Sequence, residues 1–297
     1  MSGRGLFPLT LLAVLLVGPA HSQGDAPSLT AVTPMLDLGV LHPEQPDQLP
    51  AALAAILRSP RPWRVGLSRD PAAASPSQPS SNARPDLYVK TPSGQWAPLV
   101  AGLPVLLASG GATDATGLAL SFNVKAAPDL DYSPGSRSST LFFTLDDQRV
   151  ATPVQVSYEV AAATVLEPDL SPYRLESRVD PARPSEYAFE RRPYTVYSNV
   201  PWVTEATLKG PMQKPGSQTA LSVDAIAVAT RDGRVTTLTP GQPVQVGAGP
   251  ASGTAGAHVE VNLRIRLQGL LVEGDYASSI DVTARPAATA AVEVHPR

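Results

Sequence analysis

Two halves of the sequence match each other at a fixed distance of 139 positions, without a gap. Trp63 in PWRVGL falls on Trp202 in PWVTEATL, and both tryptophans follow a proline. Further along, GLPVLLASGGA from Gly102 falls on GQPVQVGAGPA from Gly241. Self-similarity at one fixed period is the mark of a duplicated folding unit. The sequence therefore predicts two copies of one domain.

Alternation of apolar and polar residues is the strand signal in each copy. It is clearest at 118–124 and at 259–267, where the residues between the apolar ones include Asn262 and Arg264. Strands with one dry and one solvated face form antiparallel sheets. The 32 prolines and 22 glycines disfavour helices and suit turns and sheet edges. The prediction is an all-β fold of two tandem immunoglobulin-like antiparallel β-sandwich domains related by internal duplication.

Shorter stretches of the same kind predict the remaining strands, at 86–91, 140–145, 154–158, 194–198, 221–230 and 278–283. The segment AALAAIL from Ala51 to Leu57 contains good helix formers, whereas its counterpart TVYS is typical of a strand. The prediction for this segment is either a strand or one short helical turn. The polar stretch 70–85 and its counterpart 209–220 are predicted loops, either for recognition or as plain surface insertions.

The N-terminus has the features of a secretory signal peptide. Arg4 precedes an apolar run at 6–17, and the small residues Ala20 and Ser22 follow it. The run is shorter than the roughly 20 residues that span a bilayer, so an uncleaved membrane anchor is only the alternative. The predicted units are a signal peptide at 1–22 and β-sandwich domains at 23–158 and 159–297. We expect an exported protein, in the periplasm, at the cell surface or outside the cell, with no transmembrane segment in the mature chain.

Charged residues are few and nearly balanced, with a formal net charge of −3 and no basic cluster. Nucleic acids and anionic membranes need a concentrated positive surface on a binding protein, so neither is a predicted partner. The sequence contains no cysteine, which excludes disulfides and thiolate metal sites. Its stability must come from buried cores. The Ala-, Pro-, Gly- and Arg-rich composition points to a bacterium.

Side chains for catalysis or metal binding are scarce. After the signal peptide the histidines are His42, His258 and His295, and no two of them have the spacing of metal ligands. The sequence has no G-x-S-x-G nucleophile motif. We therefore predict that the protein is not an enzyme and has no cofactor and no metal.

Two pairs of carboxylates occur, at Asp129/Asp131 and at Asp146/Asp147. General acid catalysis needs one carboxylate to be desolvated, but both pairs fall in predicted turns, so solvated turn residues are the preferred interpretation. The stretch APDLDYSPG could also offer oxygens to Ca²⁺, which takes about six to eight of them. Because the second copy lacks these aspartates, a calcium site in domain 1 alone is the alternative.

The three tryptophans receive two interpretations. Trp63 and Trp202 occupy matching positions on predicted strands, and sandwiches commonly bury an aromatic residue between their sheets. We predict that both are structural core residues, with a carbohydrate-stacking pair as the alternative. Trp96 has Val235 as its counterpart and is therefore the candidate binding residue.

A late turn in each copy contains glycine. Gly274 in VEGDYASSIDVTA falls on Gly135 in SPGSRSSTLFFTL, and glycine tolerates the positive φ of such a turn. Tyr276 can bury its ring while its hydroxyl finds a backbone partner. The first copy has no tyrosine at the matching position, where Tyr132 on the other side of the turn is the candidate substitute. We predict structural roles for Gly135, Gly274 and Tyr276.

The order of these motifs resembles a group of bacterial surface proteins. The succession of LDLG from Leu36, a Pro-Trp strand, and a late G-x-Y turn before a last strand is similar to β-sandwich domains of the WxL and fimbrial-subunit kind. Neither Trp63 nor Trp202 has the leucine two positions later that the WxL pattern requires. The resemblance implies a role at the cell surface.

These features favour a non-enzymatic exported structural or adhesive module of the bacterial cell envelope. Its predicted partners are other envelope or surface proteins, with glycans as a second class. One alternative is a periplasmic assembly chaperone, which is also built from two immunoglobulin-like domains and lends a strand to its subunits. The other alternative is a carbohydrate-binding accessory protein.

Overall fold

The computed structural model describes residues 26–45, 48–70, 86–180, 187–221, 225–229, 234–267 and 272–287. These ranges form nineteen β-strands and no helix, so the described part of the chain offers no helix for crossing a membrane. The prediction of an all-β fold is confirmed. The predicted signal peptide, His295 and all but the first residue of the predicted loop at 70–85 lie outside the described residues.

Ten strands form the first sandwich (residues 26–160). One sheet contains, in spatial order, β1 (Ser28–Ala31), β3 (Ala51–Arg58), β8 (Leu118–Ala126), β5 (Leu87–Lys90) and β6 (Trp96–Pro98). The facing sheet contains β2 (Met35–Leu41), β10 (Gln148–Val160), β9 (Gly135–Leu145), β4 (Trp63–Arg69) and β7 (Val105–Gly110). The pair β2 and β10 is parallel, whereas the other pairs in these two sheets are antiparallel.

Nine strands form the second sandwich (residues 164–287). One sheet contains β11 (Thr164–Glu167), β13 (Tyr187–Ser198), β18 (Gly253–Arg266), β15 (Ile226–Ala229) and β16 (Val235–Thr237). The facing sheet contains β12 (Leu170–Val179), β19 (Gly274–Pro286), β14 (Trp202–Leu208) and β17 (Pro243–Gly249). Each sandwich buries its own hydrophobic cluster between its sheets.

The strand order of the second sandwich repeats that of the first, apart from β10. Strands β11 to β19 take the places of β1 to β9 in order. In the first sandwich β10 lies between β2 and β9, whereas in the second β12 pairs directly with β19. Two facing sheets with this order are immunoglobulin-like, so the predicted fold class is confirmed.

Each repeated tryptophan packs on a glycine of the neighbouring edge strand. Trp63 pairs with Gly110 across β4 and β7, and Trp202 pairs with Gly249 across β14 and β17. A Cβ atom added at either glycine would lie 2.7 Å from the Cζ2 atom of the indole. The ring thus occupies the space of a side chain, which explains why both copies have glycine at this position.

A second repeated contact precedes each tryptophan. The backbone N–H of Ser59 donates to Oγ1 of Thr113 over 2.9 Å, and that of Ser198 donates to Oγ of Ser252 over 3.0 Å. The accepting residues, Thr113 and Ser252, follow the two glycines in the sequence and are themselves 139 positions apart. The two sandwiches therefore share side-chain contacts as well as strand order.

The structure settles the ambiguous segment and lengthens several predicted strands. Residues 51–58 form β3, which has β1 on one side and β8 on the other, and this pairing outweighs the helix propensity of alanine and leucine. Strand β13 begins at Tyr187 rather than at 194, because it pairs with β18 along its length. In the predicted loop at 209–220, Met212 is buried against the second core and anchors the loop.

Gly110→Ala is expected to destabilise the first sandwich, because the new Cβ overlaps the indole of Trp63 and such overpacking costs about 1–3 kcal/mol. Gly111→Ala is the matched control, since a Cβ at Gly111 meets no heavy atom within 4 Å. Urea denaturation followed by tryptophan fluorescence measures both variants. Equal free energies of unfolding for the two variants would contradict the packing described here.

Candidate protein-binding surfaces

The two repeated tryptophans lie in the two cores. Trp63 is 5% exposed and Trp202 is 3% exposed, so neither ring offers a face on which a sugar could stack. Neither indole N–H has a hydrogen-bond partner among the described residues. Each ring lies over the paired glycine of the neighbouring edge strand.

The late turn places glycine and tyrosine at defined positions. Gly135 and Gly274 begin β9 and β19 with φ values of 121° and 149°, which favour glycine. The ring of Tyr276 is fully buried, and its hydroxyl donates to the carbonyl of Val272 over 3.1 Å. In the first sandwich Tyr132, three residues before the glycine, is also buried.

Trp96, the candidate binding residue, lies in edge strand β6 and is half-buried. Lys125 Nζ is 4.7 Å from the ring centroid, which is the geometry of a cation–π contact. The lysine therefore already covers one face of the ring.

The titratable residues noted in the sequence are dispersed. Nδ1 of His258 lies 2.9 Å from Oγ1 of Thr195 in the second sandwich, whereas His42 contacts Glu44 over 3.4 Å in the first. Within the described ranges, no group of three His, Asp or Glu side chains could hold a metal ion.

Asp131 joins the two sandwiches, whereas the preferred interpretation of the sequence was a solvated turn residue. It is exposed, yet its carboxylate accepts from the backbone N–H of Thr254 over 2.9 Å and from the Thr254 hydroxyl over 2.6 Å. The buried Asn199 amide donates to the carbonyls of Tyr132 and Ala161 over 3.2 Å and 2.9 Å. These bonds restrain the orientation of the sandwiches across a connector at 161–163.

A buried polar cluster distinguishes the first sandwich from the second. Arg69 Nη1 donates to Asp86 Oδ1 over 2.6 Å, with side chains only 12% and 6% exposed, and the Tyr158 hydroxyl donates to the other carboxylate oxygen. Burial raises the pKa of Tyr158, and the negative charge of Asp86 raises it further. The positions that match the arginine and the aspartate hold Leu208 and Ala225. The cluster ties β4 and β10 to the residue that precedes β5.

An apolar edge is exposed on the first sandwich beside strand β7. Val100, Leu103 and Leu106, which we call the apolar edge, are 41%, 63% and 45% exposed. Strand β7 is the last strand of its sheet, so its outer backbone groups are unpaired within the described residues. The matching positions in the second sandwich are exposed as well, but they are polar: Thr239, Gln242 and Gln245.

The sequence around the apolar edge also lacks charge. No Asp, Glu, Lys, Arg or His occurs from 91 to 113, whereas the matching stretch from 230 to 252 contains Arg231, Asp232 and Arg234. Natural proteins protect free edge strands with charged residues or proline. The sequence signal for both the apolar edge and the buried cluster is a difference in residue type between matching positions of the two copies.

Strand β10 offers a second free edge. Strand β2 pairs with β10 only from Gln155 to Val160, so the stretch 148–154 has no described neighbour on that side. Pro153 lies within this stretch, and proline at a strand edge removes one backbone donor.

Comparisons with known proteins return likenesses of structure and none of sequence. No family model and no curated protein sequence matches the chain. A solved chaperone–tip adhesion subunit pre-assembly complex of Acinetobacter baumannii Csu pili is similar over 87% of this chain and 100% of that chain, with 8% identity and a TM-score of 0.42. The Pseudomonas aeruginosa CupB2 chaperone is similar over 86% of this chain and 100% of its own chain, with 9% identity and a TM-score of 0.23. The Pseudomonas aeruginosa CupB6 tip adhesin is similar over 80% of this chain and 86% of its own chain, with 8% identity and a TM-score of 0.29. Likeness at these scores carries no functional conclusion for this chain.

Asp86→Ala is expected to lower the free energy of unfolding of the first sandwich by about 3–5 kcal/mol, because it leaves the buried charge of Arg69 unpaired. The triple variant Arg69→Leu, Asp86→Ala and Tyr158→Phe, which copies the apolar side chains of the second sandwich at the first two positions, should recover most of that loss. Urea denaturation measures both. A triple variant no more stable than Asp86→Ala would contradict this account.

Proposed function

We propose that the chain is an exported, non-enzymatic structural or adhesive module of the bacterial cell envelope that binds a partner protein along the apolar edge. The single observation that carries the proposal is the exposure of Val100, Leu103 and Leu106 beside the outer edge of β7, which is unpaired within the described residues. Exposed apolar groups next to an open strand edge favour pairing with a strand of another protein.

The second sandwich supports this interpretation because it shares the fold but not the surface. Its polar residues at the matching positions show that the fold tolerates Gln242 and Gln245 there. Exposed leucines at these positions of the first sandwich are therefore not required for folding. A contact surface for a protein partner accounts for them.

The junction between the sandwiches suits a structural role. Asp131 and Asn199 link the first sandwich and the connector to the second through hydrogen bonds. A tandem restrained in this way presents its edge strands in a defined direction, which a subunit of a larger assembly needs. The signal peptide predicted at 1–22 supports export to the envelope.

Leu106→Lys is expected to abolish partner binding and leave folding intact, because Leu106 is 45% exposed and lysine on an edge strand opposes pairing with another strand. The measurement is co-purification of the tagged mature chain from the envelope fraction of producing cells, with at least about tenfold less partner recovered than for the unmodified chain.

Gln245→Lys places the same charge at the matching exposed position of the second sandwich and serves as the control. Equal partner recovery from Leu106→Lys and Gln245→Lys would refute binding at the apolar edge. Recovery of the chain only from the cytoplasm would refute the proposed location.

A periplasmic assembly chaperone is the second candidate, and the free stretch of β10 favours it. Such a chaperone would lend this strand edge to a subunit. A photo-crosslinking residue at Thr152, which is exposed in the free stretch, tests this candidate. The same crosslinker at Glu159, which is exposed where β2 pairs with β10, is the control. We expect adducts from a crosslinker at Leu106 and none from Thr152. Adducts that join Thr152 to a periplasmic subunit would establish the chaperone role instead.

A further inference from the structure

The outer face of one sheet in the second sandwich carries aromatic rings beside arginines. Side chains alternate between the two faces of a strand, and the buried residues Tyr194 and Leu263 mark the core face of β13 and β18. The residues that point outward at one end of this strand pair include Tyr187, Phe189, Arg191 and Arg264. We call these four residues the arginine face.

Contacts within the arginine face bring its rings and its cations together. The ring centroids of Tyr187 and Phe189 are 6.3 Å apart, and Cζ of Arg264 lies 3.5 Å from the centroid of Tyr187. Phe189 is nevertheless 74% exposed. The outward residues next to it on β18 and β15 are Asn262 and two alanines. The described stretches 187–191, 227–229 and 262–266 therefore place no carboxylate on this face.

The first sandwich carries a surface of the opposite charge on its other sheet. Where β2 pairs with β10, the outward residues include Met35, Asp37 and Val40 on β2 and Glu159 on β10. We call these four residues the acidic face. Met35 and Val40 are 69% and 56% exposed, and both carboxylates are exposed as well. The outward residues of the neighbouring stretch of β9, from 136 to 140, are serine and threonine, so this stretch adds no cation.

The charges on the two faces are not neutralised within the described part of the chain. Neither carboxylate of the acidic face, and neither guanidinium of the arginine face, forms an ion pair with a described residue. Each face is therefore open to a partner of the opposite charge.

Each face occurs in one sandwich only. The first sandwich has Pro50 and Ala52 at the positions that match Phe189 and Arg191. The second sandwich has Arg174 at the position that matches Met35. Because both sandwiches have the same fold, neither surface is required for folding. A contact between molecules accounts for exposed apolar side chains of this size.

The two faces complement each other in chemistry. Each presents large apolar side chains flanked by charges of a single sign. Phenylalanine, tyrosine, methionine and arginine are enriched in protein interfaces, whereas lysine is depleted, and the arginine face contains no lysine. Methionine packs well on aromatic rings, and guanidinium groups form strong paired hydrogen bonds with carboxylates. Since one chain carries both faces, a second copy of that chain offers every group that either face requires.

We propose that the arginine face of one molecule binds the acidic face of a second copy of this chain. The rings pack on Met35 and Val40, while the two guanidinium groups pair with the two carboxylates. Because the two faces differ, the contact is heterologous, and each copy can bind one neighbour through each face. The contact goes beyond the binding proposed for the apolar edge, with which neither face shares a residue.

Sedimentation velocity of the purified mature chain measures this contact. We expect association that strengthens with protein concentration and weakens between about 50 mM and about 500 mM NaCl, because salt screens exposed charges. Arg191→Glu and Glu159→Arg should each raise the dissociation constant at least about tenfold, since like charges then face each other. Arg58→Glu is the matched control, because Arg58 is an exposed arginine of the first sandwich outside both faces.

A mixture of two variants tests whether the contact is heterologous. Arg191→Glu keeps the acidic face and Glu159→Arg keeps the arginine face. We expect each variant to be monomeric alone and the equimolar mixture to form a 1:1 complex at the same total concentration, because one intact contact remains possible between them. Recovery of binding in the mixture also shows that both variants are folded. A mixture without a complex would overturn the proposal.

Other outcomes would overturn it as well. These are a chain that stays monomeric at millimolar concentration in low salt, and an Arg191→Glu variant that associates as strongly as the unmodified chain. If the unmodified chain is monomeric and Arg191→Glu instead loses another envelope protein on co-purification, the arginine face serves that protein and not a second copy.

Two readouts separate this contact from the surfaces of the proposed function. Leu106→Lys should leave self-association unchanged, so failure of the apolar edge and failure of this contact can be told apart. A crosslinker at Glu159 should join only copies of this chain, so its adducts stay distinct from those of a crosslinker at Thr152 with a periplasmic subunit.

Discussion

Each sandwich depends on burying the apolar faces of two sheets against each other, because the chain has no cysteine and hence no disulfide to assist. The indole of Trp63 or Trp202 lies over a glycine of the neighbouring edge strand, in space that a larger side chain at that position would fill. The edge strands β7 and β17 are thus positioned by the core. The contact between tryptophan and glycine therefore also sets the position of the surfaces beside these strands.

The two sandwiches share this core and differ in what they add to it. The first has a buried ion pair of Arg69 and Asp86 and an uncharged, apolar edge, while the second has Leu208 and Ala225 in the core and polar residues at the matching edge positions. Because the fold is the same, each copy shows which side chains the other does not need for folding. The differences are therefore the side chains that the shared fold does not require.

Much of the fold follows from the sequence through the repeat. The alignment of Gly110 with Gly249 and of Ser59 with Ser198 depends on no structure, and each pair has the same contacts in both sandwiches. The candidate surfaces were harder to predict. The link from Asp131 to Thr254 joins residues far apart in sequence, and local patterns carry no information about contacts between domains.

The sequence by itself determined the period, the strand character and the absence of disulfides, because these depend on residue type and on spacing along the chain. The tertiary structure decided which strands end a sheet, since an edge is defined by the neighbour that is missing and not by the strand's own residues. It also decided that Ala51–Arg58 is a strand, through pairing on both sides, and that Asp131 accepts hydrogen bonds from Thr254. Non-local contacts set these features, and they exist only once the chain has folded.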